Sequence, residues 1–129
     1  MDSDNRINAY IRADRLASAM NKTKWQELAA AMTSNPDFEP QVRVKHIFDE
    51  EEPAGFTFLD WERVRYGETK WIEWMELDPI RKDYVGRLVD DKQTDFTDWL
   101  RAALQSQSIP FEEIERIFRV RGYIRPNTD

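Results

Sequence analysis

The spacing of apolar residues changes around Pro36 and Pro40, two residues that interrupt regular helix. Before these prolines, apolar side chains recur at the spacing of one helix face, which predicts a helix capped by Thr23. That face consists of Trp25, Leu28, Ala29 and Met32. After the prolines, apolar and polar residues alternate over residues 42–48, which predicts a β-strand. The chain is therefore predicted to combine helices with a sheet.

Other segments of the chain show the same two patterns. Helices are predicted over residues 5–20 and after Thr94, and residues 80–92 suit a short helix better than a strand. Further strands are predicted at residues 56–59, 71–77 and 118–125. Together they predict an α+β fold, with a small, mainly antiparallel sheet of about four strands flanked by helices from both halves of the chain.

Length and composition favour a single domain. At 129 residues, with 40% hydrophobic residues, the chain can bury a core without disulfides, and it contains no cysteine. It has no internal repeat and no Gly/Ser-rich linker. We predict one domain over residues 1–129, with loose ends at residues 1–5 and 126–129.

Residues 60–66 fit two structures. A hairpin that turns at Gly67 would place Trp61 opposite Trp74 on the neighbouring strand. Alternatively, Asp60 caps a short helix formed by the residues that follow it. The sequence leaves both structures open.

The net charge of −6 is concentrated in residues 35–62. The acidic residues of this segment are Asp37, Glu39, Asp49, Glu50, Glu51, Glu52, Asp60 and Glu62, against Arg43 and Lys45. Four of them, Asp49–Glu52, follow the predicted strand directly and are expected to form an exposed loop. An acidic surface of this kind suits a basic protein partner.

The predicted partner-binding surface combines this charge with tryptophan. An exposed Trp beside charged groups is typical of an interaction hot spot, and a two-layer domain covers only one face of its sheet well. Strand alternation does not decide which face is exposed. The predicted surface consists of Asp49, Glu50, Glu51, Glu52, Asp60, Trp61, Glu62 and Trp74. The alternative for the acidic run is a solvated loop that aids solubility.

His46, together with Asp49 and Glu50, is the one group of residue types that suits a divalent metal ion or a small enzyme site. Alternation, however, places His46 on the same face as Val42 and Phe48, which is expected to point into the core. The lack of cysteine excludes thiol nucleophiles and zinc–thiolate sites. We therefore expect neither metal nor cofactor, and no enzymatic activity; a His46 site remains the alternative.

Arginines line one face of the last predicted strand, at Arg119, Arg121 and Arg125. Such a face suits phosphate contacts, so a nucleic-acid adaptor is a third hypothesis. The sequence pI of about 4.9 argues against it, because a net acidic molecule repels nucleic acid. We expect these arginines to pair instead with carboxylates of a neighbouring strand, with Glu62, Glu73 and Glu76 as the candidates.

The N-terminal residues do not resemble a signal peptide. The sequence that follows Met1 lacks the basic start and the apolar run of a signal peptide, and no stretch is long and apolar enough to span a bilayer. We expect a cytoplasmic protein that does not bind membranes. An exposed strand edge would permit a homodimer.

Four short motifs resemble a family of small uncharacterised bacterial proteins. They are Thr23-Lys24-Trp25, Trp71-Ile72-Glu73-Trp74, Ile109-Pro110-Phe111 and Gly122-Tyr123. The resemblance implies no catalytic residues. The small size and the acidic, Trp-rich composition are similar to those of immunity proteins that neutralise bacterial toxins. The function that we predict is protein binding without catalysis, and by analogy with these proteins the partner would be a toxin.

Overall fold

The structure, a computed structural model, describes residues 2–13 and 17–124, which form helices and antiparallel strands. The helices are α1 (Asp2–Ala13), α2 (Lys22–Met32), α3 (Trp61–Tyr66) and α4 (Thr97–Ser106). The strands are β1 (Ala17–Ser18), β2 (Gln41–His46), β3 (Ile72–Asp78), β4 (Ile80–Asp83), β5 (Lys92–Asp95), β6 (Glu112–Ile114), β7 (Ile117–Arg121) and β8 (Tyr123–Ile124). The main sheet has the order β2-β3-β7-β6, and β1-β8 and β4-β5 form two small sheets. The predicted α+β fold is confirmed.

The main hydrophobic core lies between the four-stranded sheet and helices α2, α3 and α4. The sheet contributes Val42, Ile72, Met75, Leu77, Phe118 and Val120. The helices contribute Trp25, Leu28, Met32, Trp61, Val64, Leu100 and Leu104. Each fully buried side chain of this kind stabilises the fold by about 1.5–3 kcal/mol. A second, smaller cluster contains Ile47 and Tyr123, and Ile11 of α1 packs against it.

Helix α2 starts two residues earlier than predicted, because its cap is Asn21 and not Thr23. The Asn21 side-chain oxygen accepts a hydrogen bond from the Lys24 backbone N–H at 2.8 Å, so Thr23 lies within the first turn. The predicted apolar face of this helix, which includes Trp25 and Leu28, is buried as expected.

The helix predicted over residues 5–20 is shorter at its C-terminal end and longer at its N-terminal end. Helix α1 ends at Ala13, and residues 17–18 form β1, which pairs with β8. The helix also includes residues 2–5, which were assigned to a loose end. Residues 14–16 and 125–129, which include the second predicted loose end, lie outside the described residues.

Strands β2 and β3 confirm the strands predicted over residues 42–48 and 71–77, but their register contains a bulge. After the pair Lys45 and Trp74 the register shifts, and Glu73 is the extra residue on β3. Ile72 therefore faces the core, whereas Glu73 and Trp74 both face the opposite side of the sheet. We call this side the polar face; it carries Arg43, Lys45, Glu73, Trp74, Glu76, Glu112, Arg119 and Arg121.

Residues 61–66 form helix α3, so the predicted hairpin is wrong and the alternative helix is confirmed. Asp60 is the N-cap: its Oδ1 accepts a hydrogen bond from the Glu62 backbone N–H at 3.2 Å. Trp61 and Val64, three residues apart, are buried on one face of the helix. The strand predicted at residues 56–59 is reduced to an isolated bridge between Thr57 and Val42.

Residues 80–95 form a hairpin, not the short helix predicted over residues 80–92. Strand β4 pairs with β5 from Ile80–Asp95 to Asp83–Lys92, and residues 84–91 connect them. Thr94, predicted to cap the following helix, lies in β5. Helix α4 begins instead after Phe96, and the Asp95 carboxylate accepts a hydrogen bond from the Thr97 backbone N–H at 2.8 Å.

The strand predicted over residues 118–125 is divided into β7 and β8 at Gly122. A Cβ atom at this position would lie 2.2 Å from the Ile72 carbonyl oxygen, so only glycine fits there without displacing the backbone. The Gly122 N–H donates to the Glu73 carbonyl at 2.7 Å, directly at the bulge of β3. Glycine is therefore required where the bulge brings two backbones together.

Candidate functional site

The predicted acidic run Asp49–Glu52, which we call the acidic loop, follows β2 and is exposed throughout. Asp49 accepts a hydrogen bond from the His46 backbone N–H at 3.1 Å, which closes the turn at the end of the strand. Glu52 lies 3.9 Å from the Arg43 guanidinium and is largely exposed. Among the described residues, no cation lies within ion-pair distance of Glu50 or Glu51. These two carboxylates are therefore free to meet a partner.

Asp60 and Glu62 were assigned to the same surface, but they lie at the N-terminus of α3. Asp60 caps the helix and also lies 3.7 Å from Arg63. Glu62 is exposed in the first turn, where a negative charge is stabilised by the helix dipole. Both carboxylates thus have a local structural role in addition to their exposure.

The tryptophans assigned to the surface are buried, which corrects the prediction of an exposed anchor at either of them. Trp61 is 5% exposed and packs in the core, because α3 turns it away from solvent. Its indole N–H has no hydrogen-bond partner among the described residues. Trp74 is 4% exposed beneath the guanidinium of Arg119, whose carbon lies 4.5 Å from the ring centroid. Neither tryptophan can anchor a partner in this structure.

His46 does not point into the core as predicted, because β2 ends at this residue on the outer edge of the main sheet. Its side chain is half exposed and its ring packs edge-on against Trp71, with the centroids 4.2 Å apart. The imidazole Nδ1 lies 3.8 Å from Asp49. Within residues 2–13 and 17–124, no group of three or more His, Asp or Glu side chains could hold a metal ion.

The polar face matches the predicted arginines with carboxylates. Glu76, only 5% exposed, accepts hydrogen bonds from Arg43 at 2.7 Å and from Arg119 at 2.6 Å, one on each oxygen. Lys45 donates to Glu73 at 2.9 Å. The predicted cross-strand partners Glu73 and Glu76 are thus both ion-paired on this face.

Of the three carboxylates predicted to pair with the arginines of the last strand, only Glu76 does so among the described residues, with Arg119. Arg121 pairs with Glu112 of β6 and not with any of the three candidates. Glu62 has no arginine of that strand as a partner among the described residues, and Arg125 lies outside them. The arginines of β7 are therefore already paired, which removes most of the charge that nucleic-acid binding would use.

One group of exposed apolar side chains in the described part of the chain was not predicted from the sequence. It is formed by the four apolar side chains in the loop between β4 and β5, which we call the hairpin tip: Tyr84, Val85, Leu88 and Val89. Leu88 is 98% exposed and Tyr84 is 72% exposed. Across residues 80–95, all of which the structure describes, no side chain is buried. The sequence signal was the apolar content of this segment between two polar strands, which we interpreted as a helix face.

The acidic loop and the hairpin tip lie at opposite ends of the main sheet. The acidic loop follows the end at which His46 pairs with Ile72. The hairpin continues from the other end, at which Gln41 pairs with Asp78. The structure therefore offers two separate candidate surfaces, one charged and one apolar.

Comparisons with known proteins place most of the chain in one family. A family model described as a family of unknown function, DUF6678, matches residues 7–127. No curated protein and no solved structure matches the chain. The family match confirms the predicted resemblance to an uncharacterised family and gives no support to a likeness to immunity proteins. None of the helices in the described part of the chain has the length and apolar content needed to cross a membrane.

Proposed function

We propose that this chain, which belongs to the family of unknown function DUF6678, is a non-catalytic protein-binding domain. The observation that supports this proposal is the hairpin tip. Single exposed apolar residues are common on soluble proteins, but a contiguous apolar patch is typical of an interaction site. Here Leu88 and Val89 are adjacent in sequence, and both are more than half exposed.

The fold gives no other reason for these apolar side chains. The side chains of β4 and β5 are exposed or half-buried, and the hairpin forms a small sheet of its own. Removing an apolar side chain from water at a partner surface would provide about 1.5–3 kcal/mol. The tip is thus suited to enter an apolar groove on a partner, with Leu88 as its most exposed residue.

The proposed partner is a basic protein. The acidic loop keeps Glu50 and Glu51 exposed, and the chain has a net charge of −6. Such charge mainly raises the rate of association with a cationic protein, whereas a desolvated apolar contact supplies affinity. We place this interaction in the cytoplasm as part of the proposal. An immunity role, in which the partner is a toxin, rests only on size and composition.

A capture experiment tests the hairpin tip. The purified protein is immobilised, and partners from source cells are compared for the wild type, Leu88→Asp and Phe58→Asp. Phe58 is the matched control because it is also an exposed apolar residue, 63% accessible, outside the hairpin. We expect Leu88→Asp to lose a partner that both other proteins retain. Equal recovery by all three proteins would contradict the role of the tip.

The acidic loop is a second candidate surface, supported by the unpaired state of Glu50 and Glu51 among the described residues. Their joint change to Gln should slow association with the partner, and the difference should shrink as salt is added. The control is the joint change of Glu39 and Glu115 to Gln, which removes the same charge from exposed sites elsewhere. Equal slowing by both pairs would assign the effect to net charge and would exclude a local surface.

The alternative of an enzyme or metal protein built on His46 has less support. In the described residues, His46 contacts a single carboxylate, that of Asp49, and the aromatic ring of Trp71. Metal analysis of the purified protein, with His46→Ala as the comparison, would test it. Stoichiometric metal in the wild type and none in the variant would favour this alternative over protein binding.

A further inference from the structure

A cleft of about 360 Å³ lies beside β7, on the side of that strand where β6 ends. Its walls include the apolar side chains of Pro110, Phe111 and Ile124 and the charged side chains of Glu112, Arg119 and Arg121. It shares no lining residue with the hairpin tip or the acidic loop. A volume of this size matches the lower range of small-molecule sites, which are mostly apolar with a few fixed polar groups.

The cleft exists because strand pairing stops at its edge. β6 pairs with β7 only as far as Glu112 and Arg119. The continuation of β6 toward the N-terminus would bring Pro110 opposite Arg121, but proline has no N–H to donate to the ladder. The chain leaves the sheet at this point, and the side chain of Arg121 therefore faces the cleft without a neighbouring strand beyond it.

Both arginines keep N–H donors that no described residue accepts. Arg121 donates to Glu112 through Nε, and its two terminal nitrogens have no acceptor among the described residues. Arg119 donates to Glu76 through Nε and Nη2, so its Nη1 also has no acceptor among the described residues. The Arg121 side chain is 29% exposed and that of Arg119 is 19% exposed. These unused N–H groups are held in place by the pairs that the other nitrogens make.

The charged residues that line the cleft are Arg119, Arg121 and Glu112. Glu76 is shared by two arginines, Arg43 and Arg119, and Arg121 has Glu112. Arg43 does not line the cleft, and it also lies 3.9 Å from the exposed Glu52. A carboxylate ligand would give the unused N–H groups of Arg119 and Arg121 an acceptor.

We propose that this cleft binds a carboxylate carried on a small apolar group. The planar guanidinium of Arg121, whose terminal N–H groups have no acceptor in the described part of the chain, matches the geometry of a carboxylate. Phe111, Pro110 and Ile124 provide the apolar surface for the group attached to it. The ligand is either a free organic acid or the C-terminal carboxylate of a peptide that ends in an apolar residue, since both present the same chemistry.

Binding of benzoate, followed by NMR of the backbone amides of the full chain, tests the proposal. We expect benzoate to shift the signals of Phe111 and Ile124 to saturation. Benzamide has the same ring without the charge and should bind at least about tenfold more weakly, because a charge-assisted hydrogen bond is lost. Acetate, which lacks the apolar ring, should also bind more weakly. Equal affinity for benzoate and benzamide would overturn the proposal, and so would the absence of saturable shifts at about 20 mM benzoate.

Variants assign the effect to the guanidinium. Arg121→Met keeps the apolar stem and should weaken benzoate binding by about tenfold or more. Arg121→Lys keeps the charge but not the planar guanidinium. Its affinity for benzoate should lie between those of Arg121→Met and the wild type. Arg101→Met is the matched control, because Arg101 is 35% exposed and also pairs with a glutamate of β6. Wild-type affinity in Arg121→Met, or an equal loss in Arg101→Met, would contradict the assignment.

A short peptide that ends in phenylalanine, free or amidated at its C-terminus, distinguishes the two sources of the carboxylate. Tighter binding of the free peptide than of benzoate identifies a peptide terminus as the ligand. Tighter binding of benzoate identifies a free acid. Equal binding of the free and amidated peptides, together with equal binding of benzoate and benzamide, would show that the cleft does not recognise a carboxylate.

Discussion

The polar face of the main sheet and the hairpin tip use charged and apolar residues in opposite ways. On the polar face, Glu76 is 5% exposed and is held between two arginines, with Trp74 buried beneath one of them. At the hairpin tip, Leu88 is 98% exposed and contributes nothing to the core. Buried charge and exposed apolar surface are both costly. The cost of the buried charge is offset by ion pairs within the chain, whereas no described element covers the hairpin tip, and we propose that a partner does.

The largest loss of stability is expected when Glu76 of the polar face is replaced. Glu76→Ala would leave the half-buried guanidiniums of Arg43 and Arg119 without their shared carboxylate. We expect the free energy of unfolding to fall by about 3–5 kcal/mol, because breaking a buried pair leaves uncompensated charge. Urea denaturation measures the effect. Glu50→Ala, which removes an exposed carboxylate without a described partner, is the control and should change stability by less than about 0.5 kcal/mol. A loss below about 1 kcal/mol for Glu76→Ala would show that solvent already screens the pair.

Gly122→Ala should have the next largest effect. The added Cβ would lie 2.2 Å from the Ile72 carbonyl oxygen, which is backbone and cannot move aside cheaply. We expect a loss of about 1–3 kcal/mol in the free energy of unfolding. Gly55→Ala is the control, because nothing lies within 4 Å of a Cβ at that position. Equal urea midpoints for the two variants would contradict the close approach at the bulge.

The ion pair of Glu113 with Arg101 should contribute less, and in a defined pH range. The hydrogen bond from Arg101 lowers the pKa of Glu113 below its ordinary value of 4.5. The contribution is therefore complete above pH 4.5 and is lost as the pH falls through the lower pKa of the folded state. We expect Glu113→Gln to have a lower thermal midpoint than the wild type near neutral pH, and the two midpoints to converge in acid. A difference that persists unchanged in acid would contradict this account.

The smallest change in stability is expected at the hairpin tip. Leu88→Asp and Val85→Asp should each change the free energy of unfolding by less than about 0.5 kcal/mol, because neither side chain is buried. Urea denaturation of the isolated variants checks this expectation. A loss of more than about 1 kcal/mol would mean that the tip stabilises the fold itself, which would remove the main reason to assign it to a partner.

The sequence pattern predicted those elements in which apolar residues recur with one regular period and form one buried face. Helix α2 and strands β2 and β3 repeat one period over most of their length, so these elements were predicted correctly. The predicted buried face of α2 and Val42 of β2 are in the core, whereas His46 of β2 is not. The pairing of Arg119 with Glu76 followed from the expected alignment of an arginine-rich strand beside an acidic one. Opposite charges on adjacent strands are therefore informative even without a known register.

The sequence could not predict features that depend on a local exception or on distant packing. The bulge at Glu73 reverses strand alternation within one residue, and α3 competes with a strand over only six residues. Short apolar segments such as residues 84–89 fit a helix and a loop equally well by period. Their exposure depends on whether another element covers them, which a single sequence does not state. The predicted Trp anchor was wrong for this reason, and the hairpin tip was missed for it.

Photo-cross-linking in living source cells tests the central claim most directly. A photoreactive amino acid replaces Leu88 in one variant and Phe58 in another, both at exposed apolar positions. The account predicts a discrete adduct of one mass with the first variant after illumination, and much less of it with the second. Mass spectrometry should identify a basic protein in this adduct. If position 88 gives no more cross-linked product than position 58, the hairpin tip does not bind a partner and the proposed function is contradicted.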